Sequence, residues 1–183
     1  RFGFCCKWLN SESEFGGMKV NAKDRDLNGR STTMRWLREH PEDAVQRQWD
    51  IMNHNATAAR KLVQRVGSLP PERRMVRLGS EMLQGYTEAN WIDWWQQPHI
   101  QDHCERIFAP VGEMVRKFDV KVSFHPGQFC VLSSESADIR KRSREEFEYH
   151  ADMARWMGFG KSFQDGCKIN VHISGRLGPQ GII

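Results

Sequence analysis

No apolar run in the chain approaches the ~20 residues a helix needs to cross a bilayer, and no basic, apolar and small-residue pattern marks a secretory leader. Cysteines are few and odd in number, five in all (Cys5, Cys6, Cys104, Cys130, Cys167), and none are in CxxC spacing. That argues against a structural zinc site and against a disulfide framework, and for a reducing, cytoplasmic compartment. No internal sequence repeat is visible. The chain opens at Arg1 in strand-like residues and stops at Ile183 in a Gly-rich turn, which reads as a piece of a longer protein. Disorder is excluded by what is present: seven Trp, ten Phe and 39% apolar residues. At 183 residues one domain with a sizeable core is expected. The net charge of +4 suits an anionic partner, although solvated Lys and Arg are the commoner explanation.

Two stretches stand out. In VKVSFHPGQF, Val120, Val122 and Phe124 alternate with Lys121, Ser123 and His125, the two-residue period of a strand. Pro126-Gly127 then breaks it, leaving His125 at the C-terminal lip. In KINVHISG, Ile169, Val171 and Ile173 take one face and Lys168, Asn170 and His172 the other. Parallel neighbours built this way would aim two imidazoles into one cleft. Barrel enzymes keep their chemistry at that end of the strands.

Around these strands the chain alternates. Arg1–Leu9 reads as a first strand and Asn10–Arg30 as a loop. Pro41-Glu42-Asp43 opens a helix, with Val45, Trp49, Met52, Ala56, Ala59, Val63 and Val66 as its apolar stripe. Gly67 and Pro70-Pro71 end it. Met75–Leu78 is a second strand. Trp91, Trp94 and Trp95 follow, a cluster that either packs or stacks on bases, packing being the commoner fate. A helix over Ile100–Phe118 contains Pro110, which predicts a kink or a split. Ser143 and Glu146 have capping-box spacing and place the next helix start at Ser143, so Arg140, Lys141 and Arg142 would lie just before it. Three cations there oppose the helix dipole, a conflict that phosphate oxygens would relieve; a solvated basic turn is the plain alternative. Gly158-Phe159-Gly160 ends this helix.

The order strand, helix, strand, helix, strand, helix, strand implies right-handed βαβ units and a parallel sheet. The expected fold is therefore α/β of the TIM-barrel type, present as about the first four βα units of an eight-unit barrel. Residues 1–183 would be a single partial (β/α) barrel domain, truncated at the C-terminus.

His125 and His172 are candidate metal ligands, because neutral imidazole is the commonest one. Two ligands hold an ion poorly, so further ones are expected beyond Ile183. His150, on a helix, suits a supporting place behind the ligands, as does Asn170. Gln128 and Phe129 project from the lip, where an amide beside an aromatic ring can fill the hole left by a displaced base pair. A local loop contact is the alternative.

SFHPGQFCVLSS, SREEFEYHADMARWMG and INVHISG together resemble the UV-damage endonuclease family of DNA repair enzymes, related in design to endonuclease IV. The separation of the two histidines (172 − 125 = 47) makes the pair of motifs fairly specific. The resemblance covers most of the chain but only the N-terminal half of the family's length. It implies metal ligands at His125 and His172, and a cluster of divalent ions, chiefly Mn2+, with Mg2+ or Zn2+ as alternatives. Gln128 and Phe129 would probe double-stranded damaged DNA opposite a flipped lesion. Phe4 stands where the family has a Tyr near the lesion. A His expected near Thr87 is absent, and Glu88 is the carboxylate ligand available there. The family's GDK-like sequence is replaced by Gly175-Arg176-Leu177-Gly178-Pro179.

The function implied is a DNA repair endonuclease that nicks 5′ to UV photoproducts by metal-assisted phosphodiester hydrolysis. Arg140, Lys141 and Arg142 would hold the backbone phosphates. This piece alone is expected to be inactive. It is expected at the nucleoid when acting, with no membrane and no obligate protein partner. The competing readings are a barrel sugar isomerase or epimerase, which would need a small closed pocket, and a non-catalytic DNA-binding remnant.

Overall fold

The structure, a computed structural model, describes residues 1–12, 17–127, 129–162 and 167–171. β1 (Phe4–Cys5) leads into a hairpin of β2 (Ser11–Glu12) and β3 (Met18–Lys19). A 3-10 turn over Ala22–Leu27, α1 (Met34–Glu39) and α2 (Pro41–Gly67) come next. β4 (Met75–Gly79), α3 (Ile92–Trp95), α4 (Pro98–Lys117), β5 (Lys121–His125), α5 (Ala137–Trp156) and β6 (Lys168–Ile169) follow. β1, β4, β5 and β6 pair in that order, all parallel, with Phe4 opposite Val76, Val76 opposite Val122 and Phe124 opposite Ile169. This is the α/β class with a parallel sheet expected from the alternation of strands and helices. Among the described residues, no helix is long and apolar enough to cross a membrane.

Strand alternation divides the sheet into two faces. Val76, Leu78, Val122 and Phe124 are buried in one core with Met52, Val63, Phe108 and Met153 of the helices. Complete burial of a side chain such as Phe124 contributes roughly 2–3 kcal/mol. Ser123 and His125 take the opposite face.

α2 has the bounds its sequence predicts: Pro41 at the first turn with Glu42 and Asp43, and Gly67 at the end, lying against the Phe118 ring. Its apolar stripe is buried as expected from Met52 to Val66, but the buried face is wider than the stripe and leaves Val45 out. Val45 is 45% exposed, whereas Gln48 and Asn55 are buried. Asn10–Arg30, expected to be a loop, holds the hairpin and the 3-10 turn. Asp24 is buried there because Arg65 (3.0 Å) and Asn10 (2.5 Å) satisfy its carboxylate. Of the tryptophans, Trp95 is buried with its Nε1–H on the Gln84 carbonyl (3.2 Å), and Trp91 and Trp94 pack beside it. Packing is their role.

Two helix expectations need correction. Of the kink or split expected at Pro110, the split does not occur: α4 is one helix through it. Seven residues separate the expected start of α5 at Ser143 from its actual cap, Ser136, whose Oγ accepts the Ile139 N–H (3.4 Å). Ser143 is buried mid-helix, and Arg140, Lys141 and Arg142 lie inside the helix. The conflict with the helix dipole therefore falls away. α5 ends as expected: Gly158 takes φ +80°, and the Phe159 and Gly158 amides close on the carbonyls of Ala154 (2.9 Å) and Arg155 (2.8 Å).

Candidate functional site

The C-terminal ends of β1, β4 and β5 open onto a cavity of about 300 Å³, lined by residues that include Cys6, Lys7, Gly29, Glu81, His125 and Gly127. At its edge two thiols meet one imidazole. Cys5 Sγ and Cys6 Sγ lie 3.8 and 3.4 Å from His125 Nδ1, and 3.0 Å from each other. Neighbours on a strand ordinarily point to opposite faces. Here Cys6 takes φ +65°, and the Lys7 N–H closes on the Cys5 carbonyl at 2.7 Å. That three-residue turn is of the strained hand, rare outside glycine, and it swings both sulfurs to one side.

Strand β4 lies between the two partners, and it ends in glycine. Gly79 is in register with His125, and a Cβ built on it would lie 3.6 Å from Cys6 Sγ. A methyl group there would only touch the sulfur, so the glycine leaves the end of β4 low without being required for the contact of β1 with β5.

Polar groups deeper in the fold hold this rim. Asn55 Nδ2 donates to the carbonyls of Arg30 (2.9 Å), Glu81 (3.1 Å) and Met82 (2.9 Å), while its Oδ1 accepts the Arg30 N–H (2.7 Å). One buried amide thus fixes two of the loops that line the cavity. Burial pushes the Cys6 thiol up to about 12. The adjacent Cys5 thiol and Glu81 add to this, and Arg77 opposes it.

The loop after His125 is tied to α5. Burial holds the Glu146 carboxyl above the usual carboxylate range, and the Gly127 N–H that faces it works the other way. The Cys130 N–H closes on the Gly127 carbonyl (2.9 Å), and Ser143 Oγ accepts the Val131 N–H (2.8 Å). Phe129, between these anchors, is 83% exposed. His150 lies behind the loop. Its Nδ1 faces the Glu146 carbonyl at 2.7 Å and therefore donates, which leaves Nε2 as a buried lone pair with no partner among the described residues. Burial lowers its pKa to about 4, a proton on His125 would act the same way, and the Glu146 carbonyl works against both. It is a neutral imidazole.

The other expected site residues are distributed as follows. Asn170 donates its N–H to the Phe124 carbonyl (3.1 Å), one place past the Phe124–Ile169 pair and so beside His125; its Oδ1 is buried. Gln128 and His172 lie outside the described residues. Glu88 is exposed in the turn that starts α3, where its carbonyl accepts the Trp91 N–H (2.8 Å); the carboxylate that lines the cavity is Glu81. Phe4 packs on the core, edge-on to Trp8 at 5.2 Å, because its register with Val76 turns it toward the helices. Arg140 donates to the carbonyls of Ser134 (2.6 Å) and Glu135 (2.7 Å) ahead of α5. Lys141 and Arg142 form exposed pairs with Glu145 (3.9 Å) and Asp138 (3.5 Å).

Sequence reasoning missed Cys5, Cys6, Glu81 and Asn55 as parts of the site. For Cys5, Cys6 and Glu81 a signal existed, since each stands at or just past the C-terminal end of a strand. For Asn55, inside a long helix, there was none.

A parallel α/β sheet with a cavity at the C-terminal ends of its strands is the arrangement of a ligand-binding or catalytic site in this class of fold. The UV-endonuclease UvdE family model matches residues 2–182, and the chain belongs to that family. It is 35% identical over 83 residues to the UV DNA damage endonuclease of Bacillus velezensis, covering 45% of this chain and 23% of that protein. With the UV DNA damage endonuclease of Clostridium perfringens it shares 29% identity over 113 residues, 58% of this chain and 24% of that one. The crystal structure of SacUVDE superposes with a TM-score of 0.62 at 20% identity, covering 81% of this chain and 45% of that one. The matched parts thus span about a quarter of the curated relatives and under half of the solved structure.

Proposed function

We propose that this chain supplies the first βα units of an eight-unit barrel endonuclease that repairs DNA by nicking it 5′ to UV photoproducts, through metal-assisted hydrolysis of a phosphodiester. In a member of the UV-endonuclease family, the observation that carries this reading is the exposed Phe129, held on an anchored loop next to His125. An aromatic ring kept in solvent by a tied-down loop is suited to enter the gap that a flipped nucleotide leaves, with Gln128 beside it. A small closed sugar site would have no use for such a ring.

His125 would hold a divalent ion, with His172 as a further ligand. Such an ion polarises a phosphoryl oxygen and supplies hydroxide near neutral pH. The imidazole fits a divalent ion in general, and Glu81 adds a carboxylate to the cavity. The thiols beside His125 do not fit the manganese that the resemblance implies, since Mn2+ prefers oxygen donors. Lys7 brings positive charge to the cavity wall, where a backbone phosphate would be drawn in. Lys141 and Arg142 sit in exposed ion pairs, which are worth little, so both can exchange their carboxylate for phosphate.

The test is nicking of irradiated plasmid by the family-length protein. His125→Ala should abolish metal-dependent cleavage while circular dichroism and melting stay unchanged, and Gln128→Ala should erode the preference for irradiated over intact DNA. Undiminished cleavage by His125→Ala would overturn the reading.

A further inference from the structure

Two thiols and an imidazole converge from strands that are not neighbours, and the device that lets them do so is local. The strained turn at Cys6 brings two adjacent sulfurs to one side, and Gly79 leaves the end of the intervening strand low. We infer that Cys5 Sγ, Cys6 Sγ and His125 Nδ1 form a three-ligand zinc site at the cavity, with the fourth position left to water or substrate.

The distances support it. A zinc tetrahedron built on bonds of ~2.3 Å to sulfur and ~2.0 Å to nitrogen has sulfur–nitrogen edges of ~3.5 Å and a sulfur–sulfur edge of ~3.8 Å. The two sulfur–nitrogen separations here are 3.8 and 3.4 Å. Only the 3.0 Å between the sulfurs must widen, and Cys5 is exposed and has room to move. Two thiolates and one imidazole select zinc over manganese by their softness, and three protein ligands with an open position is the pattern of a catalytic zinc site, not a structural one.

Other uses of these cysteines fit less well. Packing explains Cys104 and Cys130, which are buried, but not an exposed Cys5. A disulfide is not formed, as all five cysteines are free.

The site shares His125 with the nuclease reading, so the two cysteine variants carry its test and nicking is scored separately. Purified protein, reduced and stripped of metal, is titrated with Co2+. The expected result is one equivalent bound, with a sulfur-to-cobalt charge-transfer band in the near ultraviolet that Zn2+ abolishes by displacement and Mn2+ does not. Cys5→Ser should lose part of that band, and His125→Ala should weaken Zn2+ binding by more than about tenfold, since even losing a group behind a ligand costs that much. Cys6→Gly guards against a folding artefact: glycine accepts φ +65° freely, so the variant should keep its fold and lose the sulfur. A cobalt complex without the charge-transfer band overturns the site, as do unchanged affinity in a folded Cys6→Gly protein and displacement of cobalt by Mn2+. Nicking of irradiated plasmid, scored on the family-length protein, reports on the endonuclease reading: wild-type protein with the thiolate–cobalt spectrum but without nicking rejects that reading and leaves the zinc site standing.

Discussion

The two ends of the parallel sheet are built differently. At the N-terminal ends of β1, β4 and β5 the polar groups are tied off. Arg1 binds the side chain and carbonyl of Asp119, Arg74 closes on the carbonyls of Leu69 (2.8 Å) and Phe118 (3.3 Å), and the Lys121 N–H reaches the Arg74 carbonyl (2.8 Å). Asp119 itself has φ +50°, but aspartate tolerates the left-handed region where it bonds locally. At the C-terminal ends a cysteine takes that conformation without such an excuse. There too, or close by, Ser123 Oγ, His150 Nε2 and Asn170 Oδ1 are buried with no partner among the described residues. Strain and unsatisfied polarity gather where chemistry is done, and the opposite end supplies the stability that offsets them.

Three changes would break or sharpen that contrast. The largest effect is expected from Asn55→Ala, which strips four hydrogen bonds from buried or half-buried backbone groups of the rim. A loss of about 3–4 kcal/mol should appear in chemical denaturation; a loss below about 1 kcal/mol would mean that the rim stands without its clamp. Next comes His150. Its pKa falls from 6.5 in the unfolded chain to about 4 in the fold, so the unfolded state binds the extra proton between those values. Stability should therefore decline as pH falls from about 6.5 toward 4, by at most on the order of 3 kcal/mol. In His150→Gln that slope should be largely gone, and an unchanged slope would assign the acid sensitivity elsewhere. The smallest effect on stability belongs to Phe129→Ala, within about 0.5 kcal/mol because the ring is exposed. The same variant should bind DNA carrying an unpaired or flipped base more weakly by about 1–3 kcal/mol, and equal binding would remove Phe129 from the interface.

How much of this was legible in the sequence depended on how local the cause was. The bounds of α2 were readable because Pro41 and Gly67 act on their own backbone. The strand of His125 was readable because its alternation is complete. The start of α5 misled: Ser143 and Glu146 have the spacing of a cap, yet both are spent on the loop before the helix, Ser143 on the Val131 amide and Glu146 on the Gly127 amide. Cys5 and Cys6 misled in the opposite way. Alternation places such neighbours on opposite faces, and only a single backbone dihedral, invisible in composition or spacing, unites them. Glu88 follows from its nearness to a missing histidine, whereas the rule that chemistry sits just past a strand end points to Glu81, which lines the cavity.

Gly112 makes the distant half of the helical layer part of this story. A methyl group there would collide with the Met157 carbonyl, so α4 and the end of α5 touch backbone to backbone. The tether of Gly127 and Val131 runs to that same α5. Widening the seam between the two helices would act like a wedge under a lever, and the far arm of that lever is the exposed ring of Phe129.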